Sequence, residues 1–247
     1  MDASSIWSDR FRGRGFIVTG AQGGIGRAVV DRLAAEGAVV LATDAKPAVS
    51  DDRANVTEAV LDVTDPAGWR DVVAHASRIG ADDGLLICHG ITHPQVPVTE
   101  LSLEDWRRVL DVNLTGCFLG IQSVLPVLKA KGWGRIVALA SIAAKEASVN
   151  EHAYAASKAA LVALVKSVGK EVATAGVTAN TVAPGPVGTE LYFKLGEAHH
   201  ADRMRRSPMK RVATPEEAAA LITWLASPEA SHTTAQCYDL SGGRATY

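Results

Sequence analysis

The chain has 247 residues, 47% of them apolar and 21% charged, with a formal net charge of −2. That balance fits one large globular domain with a full core, and argues against a basic nucleic-acid surface or an anionic membrane as partner. Apolar runs are short, none near the roughly 20 residues of a membrane span, and the N-terminal MDASSIWSDRFRGRG lacks a signal-peptide core, so a cytoplasmic location is expected. Cys88, Cys117 and Cys237 are dispersed, which fits reduced thiols. Cys88 and His89 adjoin, but neighbours on a strand point to opposite faces, so no metal site is expected.

GFIVTG, from Gly15, reads as a first strand, and IGRAVVDRLAAEG after it as a helix closed by Gly37. AVVLATD from Ala38 and AVLDVTD from Ala59 read as the next two strands. PAGWRDVVAHASRIG is a helix with proline at its start, and GLLICHG from Gly84 a fourth strand. LSLEDWRRVLDVNLTGCFLGIQSVLPVLKAKG reads as one long helix capped by Ser102. GRIVALAS from Gly134 is a fifth strand, and the stretch from His152 a helix. VTANTVAPG from Val177 is a sixth strand, TPEEAAALITWLAS a helix capped by Thr214, and AQCYDLSGG from Ala235 a seventh strand. Apolar strands alternating with amphipathic helices predict an α/β fold, a doubly wound parallel sheet covered on both faces. No linker divides residues 1–247, which are expected to form a single domain, with 1–10 an N-terminal extension. Ligands of such sheets bind beyond the carboxyl ends of the strands.

Thr19 to Gly26 read TGAQGGIG. Gly20, Gly24 and Gly26 allow a tight turn in which backbone approaches a pyrophosphate, at the N–H-rich start of a helix. The second strand ends at Asp44, whose carboxylate can accept both hydroxyls of an adenosine ribose and would repel a 2′-phosphate. The expected cofactor is therefore NAD rather than NADP. Tyr154 and Lys158 are four apart, on one helix face. Ser141 follows the fifth strand at the same edge of the sheet. A phenol is too weak a base at neutral pH, and a neighbouring ammonium favours its phenolate. Three such groups suit proton transfer at a carbonyl or hydroxyl oxygen.

TGAQGGIG, LDVTD, DVNLTG, Ser141, YAASK and PGPVGT, in this order, resemble the short-chain dehydrogenases/reductases from about Phe11 onward. The resemblance implies a Rossmann-type fold and an oxidoreductase acting on a secondary alcohol or ketone. It implies Tyr154 as acid/base, Lys158 as its pKa-lowering partner and ribose ligand, and Ser141 as the group that positions substrate. Asn113 completes a tetrad and holds a water that links Lys158 to solvent. Ile25, with the three glycines and Asp44, would bind cofactor, and Asp62 and Val63 would meet the adenine. Pro184, Gly185, Val187 and Thr189 would meet the nicotinamide. Where the family has N-N-A-G, this chain has Ile87, Cys88, His89 and Gly90. Gly90 keeps the close approach to cofactor, the strand-bracing asparagine is replaced by Cys88, and His89 is expected to be a structural hydrogen-bonder.

Substrate contacts are expected from the loops after the fourth to sixth strands. Candidates are His93, Gln95, Ser141, Ala143, Lys145, Glu146, Asn150, His152 and Tyr192, with 190–211 as a lid. The lysine–glutamate pair resembles family members acting on sugars and deoxy-keto sugar acids, although an exposed ion pair would explain it equally. The alternative is a 3-oxoacyl-(acyl-carrier-protein) reductase-like enzyme using NADPH or NADH. The resemblance also implies a homotetramer, with the tail SGGRATY crossing to a neighbouring subunit.

Overall fold

The computed structural model describes residues 9–47, 51–193 and 204–247. Seven parallel strands form one sheet in the order β3-β2-β1-β4-β5-β6-β7. They are β1 Gly15–Thr19, β2 Val39–Asp44, β3 Val56–Val60, β4 Gly84–Ile87, β5 Gly134–Leu139, β6 Val177–Pro184 and β7 Cys237–Leu240. The helices are α1 Gly24–Ala35, α2 Pro66–Ile79, α3 Leu103–Leu110, α4 Gly116–Lys131, α5 Ala143–Glu146, α6 His152–Glu171, α7 Glu190–Phe193 and α8 Pro215–Ala226. The strand order reverses between β1 and β4, which opens a crevice above their carboxyl ends.

Alternate residues of each strand feed two cores. Ile17, Leu85 and Ile136 pack with Trp69 of α2, Ile121 and Leu128 of α4, and Leu161 and Val165 of α6. Phe16, Val18, Leu86 and Val137 pack with Val29 and Leu33 of α1 and with Ile222 and Leu225 of α8. The single-domain, doubly wound reading holds.

Two elements differ from expectation. The third strand begins at Val56 and ends at Val60, earlier than the apolar run from Ala59 suggests. β3 is an edge strand with half-exposed Thr57 and Glu58, so it lacks the continuous apolar character used to find it. The long helix is broken in winding, though not in direction, by a π turn at Asp111–Thr115. Counted whole, Leu103–Lys131 is long and apolar enough to cross a bilayer, although it contains no unbroken apolar run of that length. Here its apolar residues Cys117, Ile121, Val124 and Leu128 are buried in the core beneath the sheet.

The caps follow expectation. Ser102 Oγ accepts the Asp105 N–H, and Thr214 with Glu217 forms a full capping box at α8. Thr214→Ala is expected to cost about 1 kcal/mol, read as a lower urea midpoint with an unchanged slope.

Candidate active site

A cleft of about 380 Å³ lies above the switch point, walled by the glycine turn, the chain after β4, the end of β5 and the loop after β6. Of the residues singled out in the sequence, Gly24, Ile25, Gly26, Gly90, Ser141, Tyr154, Lys158, Pro184, Gly185, Val187, Thr189 and Tyr192 all line it. The turn admits only glycine at two points. Gly20 has φ 63°, and a methyl on Gly26 would stand 2.1 Å from the Gly20 carbonyl oxygen.

Tyr154 and Lys158 stand one turn apart on α6, with the Lys158 Nζ 5.9 Å from the Tyr154 ring centroid. Lys158 is 3% exposed and donates to the Leu139 carbonyl at 2.7 Å. Burial pushes its pKa down. A methyl on Gly90 would lie 3.2 Å from that Nζ, so Gly90 makes room for the lysine. Ser141 Oγ accepts the Ala143 N–H at 3.1 Å, and its hydrogen remains available to donate. Ala153 and Ala155, both buried, let α6 sit close against the sheet.

Asn113, fully buried in the π turn, accepts the Ile91 N–H at 2.8 Å and donates to the Ile91 carbonyl and to Ser157 Oγ. Its side-chain amide is thus held by protein groups on both its oxygen and its nitrogen. It pins the loop that begins at Gly90. His89 is the structural hydrogen-bonder anticipated. Nδ1 lies 2.7 Å from Thr19 Oγ1 and Nε2 lies 3.1 Å from the Val112 carbonyl. A carbonyl only accepts, so Nε2 carries the proton and Thr19 donates to Nδ1. One ring therefore ties β1 to the π turn. Burial first, then the Lys158 charge, pushes its pKa down to about 3.

A second cavity of about 230 Å³ adjoins at Gln22 and is lined by Arg27, Asp44 and Glu58. Asp44 Oδ2 accepts the Gln22 N–H at 3.0 Å and Oδ1 the Ala45 N–H at 2.8 Å, which fixes the carboxylate's direction. Arg27 is paired with Asp31 and Asp51, which also hold Arg53. Asp62 is exposed and engaged by Thr64, whose hydroxyl and N–H hold its pKa down. Val63 is buried, and its carbonyl accepts from Trp69. Neither lies in the wall of either cavity. The glycine turn, the fixed carboxylate and a cleft running on to Tyr154 fit a nicotinamide dinucleotide.

The substrate side departs most from expectation. Of the nine residues expected there, Ser141 and Tyr192 line the cleft, whereas His93, Gln95, Ala143, Lys145, Glu146, Asn150 and His152 do not. Ala143 is buried in the first turn of α5. Lys145 and Glu146 are not an ion pair with each other. Glu146 binds Arg244 at 2.7 Å, Lys145 faces Asp239 at 3.6 Å, and Tyr247 donates to the Lys145 carbonyl at 2.6 Å. The tail thus folds onto α5 of its own chain. Of the expected lid, Glu190 and Tyr192 line the cleft, while 194–203 fall outside the described residues. Sequence reasoning missed Glu151, which also lines the cleft. The signal was present, since Glu151 precedes Tyr154 by three on the same helix.

A cleft of this build serves hydride transfer between a dinucleotide and a small molecule. A family model described as enoyl-(acyl carrier protein) reductase matches residues 20–245. A 2-dehydro-3-deoxy-L-rhamnonate dehydrogenase (NAD(+)) of Sphingomonas sp. (strain SKA58) is 39% identical, across 98% of this chain and 100% of its own. The 3-oxoacyl-(acyl-carrier-protein) reductase of Escherichia coli (strain K12) is 34% identical, across 94% and 98%. A cis-4-hydroxycyclohexanecarboxylate dehydrogenase of Sinomonas cyclohexanicum is 34% identical, across 95% and 98%. The chain belongs to the short-chain dehydrogenase/reductase family and is an oxidoreductase acting on CH–OH groups.

The unfolded chain takes up a proton on His89 below its ordinary pKa of 6.5, and the folded one only near 3. The stability due to the neutral ring is complete above pH 6.5 and falls as pH drops toward 3, by at most about 1.4 kcal/mol per unit. Thermal melts across that window should show His89→Gln losing stability less steeply with falling pH than the unmodified protein.

Proposed function

We propose that this protein uses NAD to oxidise a secondary alcohol on a small polar, hydroxylated substrate such as a sugar or a deoxy-keto sugar acid. The observation that carries this is the cleft wall, where Ser141 and Tyr154 stand with the acidic residues Glu151 and Glu190. Such a wall suits a substrate that donates hydrogen bonds more than a long acyl chain. The NAD-linked sugar-acid dehydrogenase among the relatives supports the same class.

Tyr154 takes the proton from the substrate hydroxyl, and Ser141 donates a hydrogen bond to the same oxygen. Lys158 keeps a positive charge beside the phenol, steadied by the Leu139 carbonyl. A bound nicotinamide supplies the hydride acceptor. Asn113 and Gly90 hold the loop that lets the lysine fit. NAD is favoured over NADP because Asp44 and Glu58 line the adenosine-side cavity, and its cation Arg27 is already matched by Asp31 and Asp51. Asp62 and Val63 remain proposed adenine contacts. The reading carries with it a homotetramer, a state consistent with the exposed Phe118 on α4.

A nicotinamide-absorbance assay over sugars, sugar acids, polyols and 3-oxoacyl thioesters tests this. Turnover with NAD⁺ on a hydroxylated class is expected, and activity on acyl thioesters alone overturns it. Tyr154→Phe should lower kcat roughly 100- to 10,000-fold while retaining thermal stabilisation by NAD⁺. Asp44→Ala should erode the preference for NAD⁺ over NADP⁺ in kcat/KM; an unchanged ratio removes Asp44 from the reading.

A further inference from the structure

Helix α6 opens with a glutamate that does not cap it. Glu151 holds the N-cap position, where a side chain ordinarily accepts a first-turn N–H, yet its own makes no such bond. His93 supplies the cap from the loop after β4. Its Nε2 accepts the Ala153 N–H at 3.2 Å, and its Nδ1 donates to the Pro94 carbonyl at 2.7 Å. Asn150, at φ 63°, turns the chain sharply just before Glu151. Glu151 lines the cleft wall with Ser141, Tyr154 and Tyr192, with 8% of its surface exposed. Gln95 Nε2 lies 3.4 Å from Oε1 and restrains one oxygen. Glu151 and Tyr154, three apart, share one side of the helix.

A carboxylate only accepts hydrogen bonds. Set beside the groups that handle the reacting oxygen, it complements a hydroxyl on the adjoining carbon. A methylene there would strip water from the carboxylate and return no hydrogen bond, so the site discriminates against it. Resting on the function proposed above, we propose that Glu151 is the substrate-recognition residue that selects a polyhydroxylated substrate, by accepting a hydrogen bond from the hydroxyl next to the reacting carbon. His93 and Gln95 are its positioning residues.

The test compares the full chain with Glu151→Gln and Glu151→Leu. The probes are polyols and aldonates, each beside an analogue in which hydrogen replaces the hydroxyl adjoining the reacting carbon. The unmodified protein should prefer the hydroxylated member. Its kcat/KM should fall roughly 10-fold in Glu151→Gln and roughly 100-fold in Glu151→Leu. Turnover of the deoxy analogue should not fall in either variant and should rise in Glu151→Leu, where no carboxylate is left to be stripped of water, while thermal stabilisation by NAD⁺ stays unchanged. Equal losses on both members, or a preference unchanged in both variants, overturn this role for Glu151 and leave the proposed function standing. Turnover by the unmodified protein of 3-oxoacyl thioesters alone overturns both.

Discussion

Lys158 places an ammonium almost wholly out of water, in the middle of an α/β sandwich. Such a charge is costly to bury unless hydrogen bonds receive it. The Leu139 carbonyl at the end of β5 does so, and much else in the crevice is arranged to tolerate it. Gly90 leaves the space its head group occupies. The groups around it stay neutral, with His89 unprotonated and the thiols of Cys88 and Cys117 pushed up to about 12 by burial. A second cation at His89 would repel the first. The lysine and the imidazole are thus one electrostatic arrangement, in which a single charge is set close to Tyr154.

The scaffold explains how this arrangement is held. Every strand is parallel, so the carboxyl ends of β1, β4, β5 and β6 meet at one edge. His89 bridges β1 to the π turn, and Asn113 in that turn clamps Ile91. A regular α-helix would carry Asn113 at a different angle, so the change in winding places its amide. On the opposite wall the C-terminal tail clamps α5 through Arg244 and Tyr247, and α5 follows Ser141 directly. Two separate braces therefore fix the two sides of one cleft.

Much of this was legible in the sequence. Six strands, the caps at Ser102 and Thr214, the glycine turn, Asp44 and the Ser141–Tyr154–Lys158 group follow from apolar periodicity and local spacing. What could not be read depends on contacts between distant segments. The partners of Lys145 and Glu146 come from the last nine residues of the chain, and nothing in their own neighbourhood names Asp239 or Arg244. His93 stood in a loop expected to supply substrate contacts, but its ring serves as the acceptor for the Ala153 N–H sixty residues on. Residue 89 could be assigned a structural role, but its two partners could not be named. The edge strand β3 was misplaced because edges need not be apolar on both faces.

Cys88 stands in the wall of the cleft, where a carbonyl compound is bound or formed. A thiolate there would add to that carbonyl, trapping it as a hemithioacetal, and would be the first group alkylated or oxidised by small electrophiles. Burial pushes its pKa up, which disfavours the thiolate there. The wall thus carries a polarizable, space-filling atom whose reactive anion is disfavoured.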